Sequence, residues 1–393
     1  MPADTMRQVG ERIATNRRAR RMTQSNLAHA AYISLSMLRK IEQGSRFPGD
    51  DTLDAIAAAL GTDPTRLLTG HARADSRVRD ALPSLSAAIA AYDIPDDGPV
   101  RSLVELRSAV REATTWRLAA QYAQITRELP GLLAELSRAF HASTGRERAE
   151  LAELLVTAYR SADAVAYKFG AHDLSARLIE LMRWAVPEAG STNLESTVAY
   201  VRTETFFAAR AHAPGLTALE HAVDQASASK GTDATAARGA LHMRAAVIAS
   251  RAGNTSAAAT HLAEARTLGD RVPEGIYHGT AFGPDSVSIH EVSVAVSLGA
   301  DHVRRALDIA KEWKPPSGLP AERRSGFYID LARAQLWAGL ADDSFESLKV
   351  ARRIAPQHTR EHPWARDDAA TLRRLKRADS ESLTSFAEWI GAV

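Results

Sequence analysis

The sequence contains no cysteine, and this absence excludes disulfide bonds and metal sites built on thiolates. It also lacks any run of roughly 18 or more apolar residues, so it predicts no membrane-spanning segment. The first residues are charged and have no apolar core of the kind that a secretory signal peptide carries. We therefore expect a cytoplasmic protein that works in a reducing compartment and has no membrane partner.

Catalytic and metal-binding motifs are also missing. The chain has no HExxH pair, no phosphate-binding glycine loop and no G-x-S-x-G elbow. Two adjacent pairs, His172-Asp173 and His290-Glu291, place their side chains in diverging directions on a helix and do not make a catalytic dyad. The 13 histidines stand without cysteines or clustered carboxylates. We expect no enzyme, and therefore no catalytic residue, no metal and no cofactor.

What the sequence does have is a strongly basic N-terminal segment. The chain of 393 residues, 45% of them hydrophobic, is long enough for two or three domains with ordinary cores. Its net charge of +2 hides an asymmetry, because nine arginines and lysines lie between Arg7 and Arg46 and only Glu11 and Glu42 oppose them. This excess favours a phosphate-binding face, with a solvated basic helix as the alternative.

Within this basic segment, residues 23–44 have the spacing of two short helices joined by a tight turn. Thr23 is a suitable N-cap for a helix over about 24–30, and Ser34 for a helix that runs to about 43. Gly44 supplies the stop. Three further helices are predicted over about 7–20, over 52–60 and after Asp63-Pro64, which gives five short helices in all.

This pattern resembles the Xre/Cro-type helix-turn-helix family of bacterial and phage repressors over about residues 7–69. The matching residues are Thr23-Gln24, Leu27-Ala28, Ile33-Ser34, Ile41-Glu42-x-Gly44, Leu53, Ile56-Ala57 and Leu60-Gly61. The resemblance implies a compact five-helix, lambda-repressor-like domain that binds double-stranded DNA. Tyr32 departs from the family pattern, because a small residue or glycine usually occupies that position of the turn.

The resemblance also implies which side chains contact DNA. Gln24 matches a position that contacts the DNA backbone, and the exposed face of the second of these two helices matches the face that reads base edges. The predicted DNA-binding residues are Gln24, Ser34, Leu35, Ser36, Arg39, Lys40 and Arg46. For Leu35, the alternative to a base contact is that it covers apolar surface. For Arg39 and Lys40, the alternative to reading bases is that they bind phosphates. Arg17 and Glu42 match a structural ion pair between the first and third helices.

Beyond about residue 76 the chain is alanine-rich, and its apolar residues recur at helical spacing rather than in the alternation of strands. Glycines at a spacing near 40 residues punctuate it, which is typical of helical repeats. These are Gly170, Gly253, Gly299 and Gly339, and we predict that Pro214 fills the turn position between the first two. The predicted helical hairpins cover about 146–186, 193–229, 232–268, 286–313 and 321–354.

Small residues recur at equal distances after two of these glycines, such as Ala258 after Gly253 and Ser344 after Gly339. This pattern resembles the tetratricopeptide repeat. We therefore predict an all-α protein with a DNA-binding domain over 1–70, a linker over 71–80 and an α-solenoid of degenerate tetratricopeptide-like hairpins over 81–393. Its remaining expected parts are further helices over 81–142 with a break at 94–99, and a capping pair over 365–377 and 380–391.

The longest segment outside the repeats, 269–285, contains four glycines and two prolines. One interpretation is a loop that contacts a ligand, and the alternative is a connector packed by its own aromatic residues. The predicted ligand contacts in and after this segment are Tyr277, His278, Phe282, Ser286, His290 and Glu291.

Together these features predict a sequence-specific transcription regulator that binds DNA as a homodimer, at two half-sites about 34 Å apart. A small molecule or peptide bound in the repeat domain is expected to modulate that binding. The alternative function is a protein-interaction scaffold, in which the repeats dock a partner protein and the basic domain only localises it to DNA.

Overall fold

The computed structural model describes residues 3–20, 22–60, 67, 73–226, 230–375 and 381–392. Contacts within the chain define two compact units, with the boundary between Arg77 and Val78. The described residues contain 20 α-helices and two strands of three residues each, so the protein is all-α, as predicted. No described helix is both long enough and apolar enough to cross a membrane.

Four described helices make up the N-terminal unit: α1 Ala3–Ala19, α2 Gln24–Ala30, α3 Leu35–Glu42 and α4 Asp50–Ala59. They share one core, to which α3 contributes Leu38 and Ile41, both fully buried. The predicted fifth helix lies outside the described residues, apart from Leu67, which is helical and buried in the same core.

The helices α1 and α3 cross in direct backbone contact at Gly10. A Cβ atom at this position would lie 2.2 Å from the carbonyl oxygen of Ile41, far inside van der Waals contact. The close crossing therefore requires glycine at residue 10, a requirement that the sequence pattern did not reveal.

The turn between α2 and α3 holds Tyr32 in the left-handed backbone region, with φ of 53° and a side chain that is 94% exposed. A residue with a Cβ pays about 1–2 kcal/mol for this conformation, and an exposed side chain gains no packing to offset it. Tyr32→Gly should therefore raise the free energy of unfolding of this unit by about 1 kcal/mol. Hydrogen exchange of the buried amides of α2 and α3 measures the change. Tyr32→Ala keeps the Cβ and should match the wild type; equal gains in both variants would contradict backbone strain as the cause.

The C-terminal unit is a series of antiparallel helical hairpins, and the bounds of the five predicted hairpins agree closely with the structure. These hairpins are α8 Gly145–Lys168 with α9 His172–Ala189, α10 Thr192–Ala208 with α11 His212–Ala226, α12 Thr232–Arg251 with α13 Thr255–Gly269, α14 Pro284–Ser297 with α15 Val303–Glu312, and α16 Ala321–Trp337 with α17 Ala341–Ile354.

Further helices flank the five hairpins. They are α5 Arg73–Ala90, α6 Leu103–Leu118 and α7 Tyr122–Ala142 before them, and α18 Pro356–Glu361, α19 Pro363–Leu375 and α20 Glu381–Ile390 after them. The predicted break at 94–99 is non-helical, whereas residues 73–80 of the predicted linker belong to α5. Leu372 of α19 and Phe386 of α20 share a core with Leu348 of α17, so this last pair covers an apolar face of the final hairpin.

The predicted hairpin glycines lie in the turns, with positive φ angles from 72° at Gly253 to 107° at Gly299. The prediction for Pro214 is wrong. Pro214 lies in the first turn of α11, where an amide donor is not needed, and Arg210 takes the left-handed turn position with φ of 54°. Ala120 does the same between α6 and α7, with φ of 56°, so that hairpin carries no glycine signal.

The segment 269–285, predicted as a loop, contains a β-hairpin at its centre. Strand β1 Gly275–Tyr277 pairs antiparallel with β2 Thr280–Phe282. His278 and Gly279 form the connecting turn with φ angles of 44° and 75°, the positive pair that a two-residue hairpin favours. Phe282 is fully buried against Gly239 of α12, which fixes the hairpin to the helical array.

Candidate functional site

The helix-turn-helix segment begins both of its helices with the predicted side-chain caps. The Thr23 side chain accepts a hydrogen bond from the Asn26 amide at 3.1 Å, and the Ser34 hydroxyl accepts one from the Met37 amide at 3.1 Å. Each cap satisfies an amide that the first helical turn leaves without a backbone partner. The caps therefore fix where α2 and α3 begin.

The outer face of α3 is polar and basic. Ser36, Arg39 and Lys40 are exposed on the side of α3 away from Leu38 and Ile41. Two other predicted DNA-binding residues, Ser34 and Arg46, are exposed as well, whereas Leu35 is half-buried and packs against the core of the unit. In the part of the chain that the structure describes, no carboxylate pairs with Arg39, Lys40 or Arg46. These three cations are available to an external anion.

A buried network holds α1, α2 and α3 together behind this face. Arg17 donates from Nε to Glu42 Oε1 at 2.7 Å and from Nη2 to Oε2 at 2.9 Å, the ion pair that the resemblance implied. Gln24 donates from Nε2 to the same Oε2 at 2.7 Å. Burial raises the pKa of Glu42, but the hydrogen bonds from Arg17 and Gln24 outweigh it and hold that pKa below its usual value. Gln24, predicted to contact DNA, is thus anchored at the start of α2.

The C-terminal unit contains a second candidate site, a cavity of about 1140 Å³ that we call the polar cavity. Its walls come mainly from the first helix of each hairpin, with contributions from α6 and α18. The lining contains nine basic and five acidic residues, so it has an excess of positive charge. The basic residues are Arg79, Arg117, Arg160, Lys168, Arg210, Arg244, Arg251, Arg323 and Arg366, and the acidic ones are Asp163, Glu204, Glu322, Asp330 and Glu361.

Several of these charges form ion pairs within the wall. Lys168 Nζ lies 2.9 Å from Glu322 Oε1, and Arg244 Nη2 lies 3.2 Å from Glu204 Oε1. Glu361 Oε2 is shared by Arg79 at 2.7 Å and Arg366 at 3.1 Å. Three of the five carboxylates are therefore already occupied by four of the cations.

Arg117 and Arg160 bind the tip of the β-hairpin rather than a carboxylate. Arg117 donates from Nη2 to the Gly279 carbonyl oxygen at 2.7 Å. Arg160 donates from Nη1 to the His278 carbonyl oxygen and from Nη2 to Thr280 Oγ1, both at 2.7 Å. Burial, with the nearby charge of Arg117, lowers the pKa of Arg160 to about 9. Among the described residues, these two buried cations thus have neutral oxygens as their hydrogen-bond partners.

Arg323 is held in a similar way by Tyr200 and His290. Burial raises the pKa of the Tyr200 hydroxyl, but the charges of Arg323 and Arg244 outweigh it and lower that pKa to about 8. It donates from Nη2 to the Tyr200 hydroxyl oxygen at 2.6 Å and from Nη1 to His290 Nε2 at 3.1 Å. His290 Nδ1 lies 2.8 Å from the Ser286 carbonyl oxygen, to which it can only donate. Burial, with the charge of Arg323, lowers the pKa of His290 to about 3, so its ring is neutral and accepts at Nε2.

The six residues predicted to contact a ligand have different positions. His290 lines the polar cavity, and His278 contributes its backbone carbonyl to Arg160. Phe282 belongs to the core, and Tyr277 donates its hydroxyl to the Pro273 carbonyl at 2.8 Å. The other two, Ser286 and Glu291, bind Glu274 and Arg266 respectively. Contact of these residues with a ligand stays a prediction.

Comparison with known proteins bears on the N-terminal unit. Residues 8–69 match the family described as a helix-turn-helix domain. No curated protein matches the chain.

Solved structures with detectable likeness include PlcR of Bacillus thuringiensis in complex with the peptide PapR7 and DNA, at 15% identity and a TM-score of 0.30, covering 67% of this chain and 95% of PlcR. Apo ComR of Streptococcus vestibularis is 13% identical with a TM-score of 0.31, covering 96% and 99%. A mutant of PrgX is 8% identical with a TM-score of 0.25, covering 97% and 99%. Residues 8–69 are thus similar to a helix-turn-helix domain, and α2 and α3 lie within that range.

Proposed function

We propose that the protein is a transcription regulator of the Xre/Cro type, whose helix-turn-helix domain binds a specific DNA site. The observation that carries this proposal is the outer face of α3, where Ser36, Arg39 and Lys40 are exposed and the two cations have no carboxylate partner among the described residues. Arginine and lysine on such a helix reach the acceptors of guanine in the major groove or the flanking phosphates. The buried network around Glu42 gives this face a rigid support.

The polar cavity is the proposed site of a modulating ligand, a small molecule or a short peptide. Its volume of about 1140 Å³ is sufficient for either. A ligand changes DNA affinity only if it binds two states of the protein unequally, so ligand and DNA affinities must be linked reciprocally. We further propose that the protein acts as a cytoplasmic homodimer on two half-sites about 34 Å apart, and that it has no catalytic role.

Arg39→Ala and Lys40→Ala should each weaken binding to the specific site by about 1–3 kcal/mol, which is roughly fivefold to over a hundredfold. Neither substitution should lower thermal stability, because both side chains are exposed. A mobility-shift titration with the DNA upstream of the protein's own gene measures the affinities. Arg183→Ala removes an exposed arginine from α9, where it pairs with Glu180, and serves as the control.

Wild-type affinity in both variants would overturn the assignment of α3 as the reading helix. Shifts that are equal for all DNA sequences and disappear with added salt, together with a protein that co-purifies through the C-terminal unit, would favour the scaffold instead. A sequence-specific shift that weakens in both variants supports the regulator.

A further inference from the structure

We infer that the ligand of the polar cavity is a small organic acid with at least two negatively charged groups, bound by Arg117, Arg160 and Arg323. We call these three residues the arginine cluster. The inference rests on the proposed ligand-sensing function and adds the chemical class of the ligand.

The first observation is that the arginine cluster has no carboxylate counter-ion among the described residues. Its hydrogen-bond partners are two backbone carbonyls, two hydroxyl oxygens and a neutral imidazole. Within the described ranges, no carboxylate oxygen lies at ion-pair distance from any of the three guanidinium groups. Removing a cation from water is costly unless an anion compensates it, and three neighbouring cations also repel one another.

The second observation is a donor that the protein leaves unused. Arg117 is only 7% exposed, and its Nε is buried with no hydrogen-bond partner among the described residues. Arg117 lines the polar cavity. A buried donor without a partner is costly and uncommon in folded proteins, so a residue of the cavity wall keeps a hydrogen-bonding capacity that the described residues do not use.

The third observation is that three carboxylates of the wall, Asp163, Glu204 and Glu322, have partners of their own. Glu204 is paired with Arg244 and Glu322 with Lys168. Asp163 accepts a hydrogen bond from Ser175 at 2.6 Å, and burial together with the charge of Glu204 raises its pKa well above the usual value, which favours its uncharged form. The three arginines thus have no described carboxylate at ion-pair distance, and a ligand with two or more negative charges balances them better than a ligand with one.

The positions of the cations and their neighbours indicate an organic acid rather than a simple ion. Arg323 is oriented by hydrogen bonds to His290 and the Tyr200 hydroxyl, and Arg160 lies over the Tyr200 ring, with its guanidinium carbon 5.9 Å from the ring centre. Tyr167 and Phe207 also line the cavity and offer apolar surface to a carbon skeleton. The planar guanidinium groups match carboxylate and phosphate oxygens in pairs, and either acid group satisfies this geometry.

Calorimetric titration of the full chain at constant ionic strength tests the inference, with sodium pyrophosphate, citrate and acetate as probes. We expect one pyrophosphate or citrate ion to bind per chain and acetate to bind at least tenfold more weakly. Arg117→Gln and Arg323→Gln should each reduce the affinity for the polyanion at least tenfold, and Arg183→Gln, on the exposed face of α9, should not change it. Preference for pyrophosphate would identify a phosphate ligand, and preference for citrate a polycarboxylate.

Two outcomes would overturn the inference: no binding of either polyanion to the wild type, or binding that survives in both folded cavity variants. Binding that is lost in Lys40→Ala but kept in Arg117→Gln would place the anion on α3 and would also overturn it. Circular dichroism checks the fold of each variant. Because Arg117 and Arg323 lie on different helices, the test can still be made with one variant if the other fails to fold. A mobility-shift assay without added anions tests DNA binding separately. A failure of the proposed DNA binding can therefore be distinguished from a failure of the proposed anion binding.

Discussion

Glu42→Ala is expected to unfold the helix-turn-helix domain. The substitution would leave Arg17, whose side chain is 10% exposed, as a buried cation without its carboxylate, and Gln24 without its acceptor. Breaking a buried ion pair from one side costs about 3–5 kcal/mol. The free energy of unfolding of a domain of this size is rarely more than about 3–5 kcal/mol, so the expected loss is as large as the total stability of the domain. The expected result is loss of specific DNA binding and of hydrogen-exchange protection in α1 and α3.

Two controls separate this network from ordinary surface charge. Glu11→Ala removes an exposed carboxylate that lies 3.3 Å from Arg7, and its effect should stay below about 1 kcal/mol. The double variant Arg17→Met with Glu42→Leu removes both buried charges and should recover most of the stability. If Glu42→Ala proved as mild as Glu11→Ala, the buried network would not be what holds α1 to α3.

The sequence predicts features that depend on a few neighbouring residues. Thr23 and Ser34 cap their helices because a hydroxyl and an amide three residues later are sufficient to form the bond. The bounds of the five hairpins are predicted closely, because turn glycines with positive φ mark four of the five turns. Arg210 and Ala120 show the limit of this reasoning: both adopt the glycine conformation, so their turns leave no mark in the sequence.

The polar cavity could not be predicted in the same way, because its charges come from helices far apart in the chain. Arg117 and Arg323 are separated by four of the five hairpins, and no local pattern relates them. One signal was nevertheless present. Polar or aromatic residues seven positions apart, two helical turns on one face, recur in the first helix of each hairpin. These pairs, all lining the cavity, are Arg160 and Tyr167, Tyr200 and Phe207, Arg244 and Arg251, His290 and Ser297, and Arg323 and Asp330.

The segment 269–285 could be interpreted from its sequence either as a ligand-contacting loop or as a connector packed by its own aromatic residues. Phe282 is buried only because Gly239, more than forty residues upstream, leaves space for its ring. That pairing is a long-range contact without a sequence pattern of its own. Two of the three hairpin oxygens that bind Arg117 and Arg160 are backbone oxygens, of His278 and Gly279, which no side-chain motif encodes; the third is Thr280 Oγ1.

Gly239→Ala is expected to expel Phe282 from the core of the C-terminal unit. The new Cβ would lie 1.9 Å from Phe282 Cζ, and the ring is fully enclosed, so it cannot shift by a small rotation. Displacing a buried phenylalanine costs about 3 kcal/mol. Because Phe282 ends β2, the hairpin should detach with it and release the carbonyls that Arg117 and Arg160 bind. A lower thermal midpoint and faster proteolysis within 271–284 would show this.

Gly131→Ala is the matched control, because Gly131 also lies inside a helix, α7, but a Cβ there meets no atom within 4 Å. This variant should gain about 0.5–1 kcal/mol from the higher helix propensity of alanine. Gly239→Ala gains the same propensity, so the difference between the two variants isolates the clash with Phe282. Adding Phe282→Ala to Gly239→Ala should cost less than the sum of the two single changes, because the smaller side chain removes the clash. Simple additivity of the two substitutions would mean that Gly239 is not required for the buried position of Phe282.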